Sequence, residues 1–492
     1  NKTEKGEIKV AIAFDCRNNS KSFAQIVADV FSANKIKVYI FNQLRPTPEL
    51  SFAVKTLNCN CGIVLTASHN PPEYNGYKVY WKDGGQIVPP IDKLLIEEIN
   101  NVSFEEIKFN SNANLIETIG ELIDDKFISS SIKTGKVDKI NSRENLKIVF
   151  TSLHGTSSTI MPKVFEKVGY KNVLYVEEQM EPDGDFPTVE SPNPEEKEAL
   201  SLGLDLAKHS NADIVIGTDP DADRLGIAVK DLNNDYILLN GNQLMVIMID
   251  FLLNNLKSED KLNTSQFIAT TIVSTPLVGK IANYYNLDCK LCLTGFKWIA
   301  KMIEDYPKSS FLIGGEESYG MMISDFVRDK DAITASLFAC EIANYLKENG
   351  SSIFNNLIDI YIKYGLYKEK LVSITKKGKE GKIAIENIID GFKNNPPKKI
   401  GGSEVISIYN YEKSQRLDLK TNRVTKINFP KSNVIEFNTA NGTKVILRPS
   451  GTEPKIKMYI SVNINLESKE QYLEKNNFLN NRIKAIIEEI NL

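Results

Sequence analysis

Three short apolar runs in this chain each stop at a loop with its own chemistry, and this recurrence constrains the fold more than any other feature. Gly62-Ile63-Val64-Leu65 ends in Thr66-Ala67-Ser68-His69-Asn70-Pro71. Ile214-Val215-Ile216-Gly217 ends in Thr218-Asp219-Pro220-Asp221-Ala222-Asp223-Arg224. Phe311-Leu312-Ile313-Gly314 ends in Gly315-Glu316-Glu317-Ser318-Tyr319-Gly320. A short apolar run closed by turn residues reads as a buried strand. Such a strand delivers its loop to the carboxyl edge of a sheet, where open α/β sheets bind ligands. The loops offer a hydroxyl, a cluster of acids, and a glycine-flanked acid with a hydroxyl. Each alone also reads as a plain turn, Asn70-Pro71 being turn chemistry. Three in series favour function.

The flanking pattern repeats as well. Residues 7–14 and Lys37–Phe41 are strand-like. Between them Ser22 caps an amphipathic helix through Ala33, and Thr47-Pro48-Glu49 opens another with proline at its first position. Helix-length crossovers predict a largely parallel sheet. Lys78–Trp81, after a turn at Asn75-Gly76, reads as a hairpin strand. A second unit starts at Leu146 and includes an acidic helix from Pro194 and a long helix Gln243–Leu256. A third starts at Gln266, with helices after Pro276 and near Lys297. The region from Tyr367 mixes strands and helices. The expected class is therefore α/β: three tandem βαβαβ domains with mixed, mostly parallel sheets, then a C-terminal α+β domain. Boundaries are expected at 1–144, 145–258, 259–365 and 366–492.

A chain of 492 residues exceeds a single core, and three or four domains fit its length. Its net charge of -3 supplies no general attraction to nucleic acid or acidic membranes. No apolar run is long enough to span a bilayer and no signal peptide is visible, so neither a nucleic-acid nor a membrane partner is expected. Six cysteines in so long a chain make no disulfide framework, which fits a reducing cytoplasm. Cys59-x-Cys61 and Cys289-x-x-Cys292 have no histidine at ligand spacing and read as strand residues.

Asp219, Asp221 and Asp223 alternate in one loop. Hard oxygen ligands at that spacing suit Mg²⁺ or Ca²⁺. An EF-hand is excluded, because its glycine position holds Arg224 and its final glutamate position holds Lys230. Crowded carboxylates repel one another unless a cation compensates, which favours a metal over a solvated acidic turn. Arg448-Pro449-Ser450-Gly451-Thr452 has the composition of an anion cradle: a guanidinium, two hydroxyls and a glycine-loosened backbone. Alone it also reads as a turn with a surface arginine. Lys297 after Thr294-Gly295 is a second cationic loop, or a snorkelling lysine at a helix start. Glu316 and Ser318 suit adjacent sugar hydroxyls. His69 can polarise a phosphoryl oxygen or carry a proton; His154 and His209 read as structural.

Thr-Ala-Ser-His-Asn-Pro, Asp-Pro-Asp-Ala-Asp-Arg, Gly-Glu-Glu-Ser-Tyr-Gly and Arg-Pro-Ser-Gly-Thr-Glu-Pro-Lys together resemble the α-D-phosphohexomutase superfamily, in its order and over nearly the whole chain. Thr294-Gly295-Phe296-Lys297 and the stretch 185–194 look most like its phosphoglucomutase/phosphomannomutase branch. The resemblance implies four domains around a central cleft and a phosphoserine at Ser68, which with Asp219, Asp221 and Asp223 would hold Mg²⁺. The serine phosphate would pass to a hexose phosphate, glucose first and mannose second. The hexose 1,6-bisphosphate formed would return its other phosphate to Ser68. Arg448, Ser450, Gly451 and Thr452 would grip the idle phosphate, and Glu316 and Ser318 the sugar. Arg17, Thr294, Gly295 and Lys297 would complete the substrate contacts. Arg224 would bind charge, and His69, Lys78 and Lys330 are candidates for proton transfer. The expected partner is a small sugar phosphate, and the expected state a monomer or weak dimer. The family also has a glycine-rich segment with an arginine ahead of the part seen here, so the chain is expected to begin inside the first domain, as an incomplete version or a member that lost the segment. Alternatives are a phosphopentomutase, a metal-dependent phosphohydrolase, and a non-catalytic sugar-phosphate-binding relative.

Overall fold

The computed structural model describes residues 6–376, 378–450 and 454–490. These divide into two compact units. One runs to Thr270 and includes Tyr285–Lys290 and Gly295–Asn356; the other takes Thr271–Tyr284, Leu291–Thr294 and the chain from Leu357.

Three sheets repeat one topology. The first holds β1 (Lys9–Phe14), β2 (Lys37–Phe41), β3 (Cys61–Leu65), β4 (Tyr77–Trp81) and β5 (Ile116–Ile119), in the order β4-β3-β1-β2-β5. The second holds β6 (Ile148–Thr151), β7 (Val173–Tyr175), β8 (Ile214–Thr218), β9 (Leu225–Lys230) and β10 (Tyr236–Leu239), in the order β10-β9-β8-β6-β7. The third holds β11 (Gln266–Thr271), β12 (Asp288–Cys292), β13 (Ser310–Gly315) and β14 (Met321–Ile323), in the order β12-β11-β13-β14. In each, the unit's first strand lies between its second and third, and its fourth returns antiparallel on the third. The central strands are apolar on both faces, as a sheet covered on both sides requires: Val10, Ala11, Ile12 and Ala13 are all fully buried, as are Val149, Phe150, Phe267 and Ile268. The three chemistry-bearing loops are thus the reversals from β3 to β4, β8 to β9 and β13 to β14.

Local structure departs from expectation in three places. The first crossover helix is Ser20–Ala33, three residues longer than the Ser22 cap implies. Asn19 takes a left-handed backbone (φ 68°) and no side chain caps the helix. The strand Ile116–Ile119 was not anticipated; a four-residue edge strand with two exposed polar residues carries little apolar signal. Pro194 opens no helix. Asn193 accepts the N–H of Glu195 on its side chain and that of Glu196 on its carbonyl, which holds a turn, and the helix starts at Ser201.

The last part of the chain is an antiparallel sheet of β15 (Leu366–Thr375), β16 (Lys399–Ile400), β17 (Ser403–Asn410), β18 (Gln415–Asp418), β19 (Arg423–Lys426), β20 (Ile435–Thr439), β21 (Lys444–Pro449) and β22 (Lys455–Ile464). Its path is β15-β22-β21-β20-β17-β18-β19, with β16 paired to β17. Helices Gly378–Asn394 and Tyr472–Ile490 pack on it, giving the expected α+β arrangement. No helix among the described residues is long and apolar enough to cross a membrane.

Candidate active site

Ser68 leaves β3 in a left-handed conformation (φ 52°) that few non-glycine residues adopt. Its N–H donates to Thr66 Oγ1 at 2.8 Å. The strain is held by Arg17, whose guanidinium lies inside the loop. Arg17 Nη2 donates to the carbonyls of Ser68 (2.6 Å) and Asn70, and Nη1 to those of Pro71 (2.8 Å) and Tyr74 (2.9 Å). Asp15 lies 3.4 Å from Arg17 Nε, and the Phe186 ring faces the guanidinium. The side chain is fully buried. Arg17, expected among the substrate contacts, has its Nη1 and Nη2 donors turned to the protein, where they shape the loop that presents Ser68.

Ser68 Oγ donates to Asp219 Oδ2 at 2.6 Å, joining the first loop to the second. His69 Nδ1 is 3.3 Å from Ser68 Oγ. Burial and the nearby Arg224 pull the His69 pKa down to about 3, so the imidazole is neutral at ordinary pH.

Asp219, Asp221 and Asp223 are all fully buried, and each offers a carboxylate oxygen within 4.8 Å of the others. Asp219 Oδ1 accepts the N–H groups of Asp223 (2.9 Å) and Arg224 (2.8 Å). Asp221 Oδ2 accepts from Lys78 Nζ (2.7 Å) and Thr47 Oγ1 (2.9 Å). Asp223 Oδ2 pairs with Lys330 Nζ at 2.7 Å and Lys78 Nζ at 3.5 Å. Burial, Asp223 and Asp221 drive the Asp219 carboxyl well above the usual range. Burial also opposes ionisation of Asp221, but Lys78 and Lys330 outweigh it and hold that carboxyl low. One oxygen each of Asp221 and Asp223, Oδ1 in both, is buried without a hydrogen-bond partner. Orphaned carboxylate oxygens beside a third carboxylate and a serine oxygen form a hard, all-oxygen donor set, and this fits Mg²⁺.

The acidic loop is gripped at three successive carbonyls. Pro220 O accepts from the N–H (2.8 Å) and hydroxyl (2.9 Å) of Thr156. Asp221 O accepts from Thr47 N–H (2.9 Å), and Ala222 O from Ala332 N–H (3.1 Å). The approach of Thr156 needs a glycine before it: a Cβ on Gly155 would lie 2.5 Å from Pro220 Cα.

Arg224 bridges the second and third loops. Its guanidinium pairs with Glu195, and its backbone forms a β-bridge with Gly320. Glu316 is buried and accepts the N–H of Gly295 at 2.8 Å. Burial, with Glu317 adding, lifts its carboxyl to about 7. Gly295 sits at φ 114°, the left-handed region that favours glycine. Lys297 and Ser318 are half-buried, as is Thr294. Arg448 lies on β21 with Nη1 3.5 Å from the Tyr459 hydroxyl, and Ser450 N–H donates to Lys455 O at 2.7 Å. Gly451 and Thr452 lie outside the described residues.

The structure therefore gathers Ser68, His69, Lys78, the three aspartates, Arg224 and Lys330 by direct contacts. The sequence reading missed Thr47, Thr156, Glu195 and Ala332, which hold these groups. Their only signal was position: Thr47 opens a helix at the carboxyl end of β2, and Thr156 follows β6.

Residues 1–106, 125–233 and 240–361 match, in turn, the family descriptions phosphoglucomutase/phosphomannomutase, alpha/beta/alpha domains I, II and III. The chain is 38% identical over 460 residues to a phosphoglucomutase of Staphylococcus epidermidis strain RP62A, covering 92% of this chain and 83% of that protein. It is 36% identical over 485 residues to one of Staphylococcus saprophyticus, covering 96% and 86%. In fold it is similar to the open form of parafusin, a phosphoglucomutase from Paramecium (TM-score 0.71, 18% identity, 99% of this chain and 88% of that one). It is also similar to a phosphoglucomutase/phosphomannomutase family protein of Burkholderia thailandensis (TM-score 0.68, 17% identity, 98% and 90%).

Proposed function

The chain belongs to the phosphoglucomutase/phosphomannomutase family, and from that premise we infer that it is a hexose phosphate mutase, an isomerase moving a phosphoryl group between positions 1 and 6 of glucose. The observation that carries the reading is Ser68 Oγ, 2.6 Å from an aspartate 151 residues away, on a loop whose free carboxylate oxygens await a cation. Ser68 is the phosphoryl carrier. The phosphoryl group leaves Ser68 Oγ for the free sugar hydroxyl, whose proton passes to a neighbouring group. The bisphosphate so formed turns over, its other phosphoryl group returns to Ser68 Oγ, and a proton goes back to the oxygen it leaves. The phosphoserine is restored, so the net change is isomerisation.

Asp219, Asp221, Asp223 and Ser68 would hold Mg²⁺, which neutralises charge on the transferring phosphoryl oxygens. Lys78 and Lys330 hold positive charge against the same region, and His69 stands beside the serine oxygen. These three are the groups we assign to proton transfer. Glu316 and Ser318, with Lys297, are assigned to the sugar and its phosphate, and Arg448 and Ser450 to a phosphate. Glucose is the first substrate and mannose the second. Only six cysteines in so long a chain support a reducing, cytoplasmic setting.

A coupled assay for glucose 6-phosphate from glucose 1-phosphate, with Mg²⁺ and a trace of glucose 1,6-bisphosphate, tests the reading. Turnover is expected to need the bisphosphate and to vanish in Ser68→Ala. Phosphate release without isomerisation, or turnover that survives Ser68→Ala, would overturn it.

A further inference from the structure

Thr47 is fully buried at the first turn of helix Thr47–Thr56. The cap position ahead of it is taken by Pro46, whose side chain has no acceptor to offer the helix. No side chain caps the helix, and the Thr47 hydroxyl goes to Asp221 Oδ2. Its N–H goes to Asp221 O. Thr47 thus clasps one aspartate at two points, across 174 residues of sequence.

A carboxylate turns easily about its terminal torsion, which is broad and roughly two-fold. Which oxygen an aspartate shows a cation is therefore decided by what holds the other. In Asp221 two donors hold Oδ2, and Oδ1 is left bare. The two donors differ in kind. Lys78 ends a flexible stem and reaches Asp223 as well as Asp221; it is also assigned to proton transfer and must be free to respond to substrate. Thr47 has a short branched side chain, stiff about its first torsion, on a helix whose first eight residues are all buried. It is the fixed donor of the pair.

We propose that Thr47 is a positioning residue of the divalent-cation site, its hydroxyl locking the Asp221 carboxylate so that Oδ1 faces the cation while Lys78 is released to the substrate. The inference rests on reading Asp219, Asp221 and Asp223 as the ligands. Groups that orient a metal ligand typically alter affinity by about 10- to 100-fold when removed.

The test is Mn²⁺ binding to the purified full chain, incubated with glucose 1,6-bisphosphate and followed by electron paramagnetic resonance. The parent is compared with Thr47→Val, Thr47→Ser and Asp221→Asn. Valine keeps the shape and the backbone clasp and removes only the donor; serine restores it. The dissociation constant is expected to rise at least about tenfold in Thr47→Val, to return to within about threefold of the parent in Thr47→Ser, and to be lost from range in Asp221→Asn. Equal affinity in Thr47→Val and parent, with Asp221→Asn still impaired, would overturn the role of Thr47 alone. So would a Thr47→Ser variant as weak as Thr47→Val. Parent protein that binds no Mn²⁺, or an Asp221→Asn variant that binds as the parent does, would overturn the ligand reading and the inference with it.

Discussion

At the scale of single residues, Arg17 shows how much of this site goes into holding Ser68 in place. One guanidinium satisfies four carbonyls of the Ser68 loop, a task its planar fork suits and an ammonium does not. An ammonium has three donors, so in Arg17→Lys at least one of those four carbonyls loses its partner. The expected cost is about 1–3 kcal/mol in urea unfolding, with kcat down at least about tenfold and KM little changed. A variant whose KM rises while kcat holds would return Arg17 to the substrate contacts. Ser68, Asp219, Asp221 and Asp223 were legible in the sequence because each sits in a short contiguous loop of one chemistry. Thr47, Thr156 and Glu195 were not. Each is an ordinary residue in its own neighbourhood, and its role exists only through a contact made far along the chain.

Among the elements, the strand-to-loop device was read correctly three times because buried strands announce themselves by composition. The edge strand Ile116–Ile119 and the turn at Pro194 were missed, since side-chain bonds and edge pairing leave no periodicity to find. Helix Ala332–Glu348 shows what an element contributes to the site. Its cap, Asp331, accepts the N–H groups of Ile333 and Thr334 and the Thr334 hydroxyl, and the next residue holds Ala222. Burial outweighs these bonds and lifts the Asp331 carboxyl to about 6. An unfolded aspartate titrates near 4. Between the two values the folded chain keeps a proton that the unfolded chain has released. The contribution of Asp331 to stability is thus present at low pH and declines as pH rises from about 4 through about 6. Asp331→Asn keeps an acceptor oxygen and has no such slope. Its stability relative to the parent is expected to improve by on the order of 2 kcal/mol between pH 4.5 and 7.5. Denaturation at the two pH values measures this, and a constant difference would mean that the carboxyl ionises normally.

For the whole molecule, the relevant quantity is what a bound cation does to stability. A ligand that binds only the folded form adds about 2.7 kcal/mol at a hundred times its dissociation constant. In a chain this large that amounts to a shift of a few degrees. Saturating Mg²⁺ is expected to raise the melting temperature by that much, EDTA to reverse it, and Asp221→Asn to abolish it. A rise of equal size in Asp221→Asn would place the effect elsewhere.

The grip on carbonyls 220–222 also has a consequence in time. A ribosome makes Thr47 and Thr156 before the acidic loop, but Lys330 and Ala332 well after it. Until they emerge, Asp223 has only the longer contact to Lys78, and Ala222 lacks its clasp. The nascent chain must carry its crowded acids through the making of the third sheet, and the site closes only when the return strand β14 and the segment behind it have left the exit tunnel.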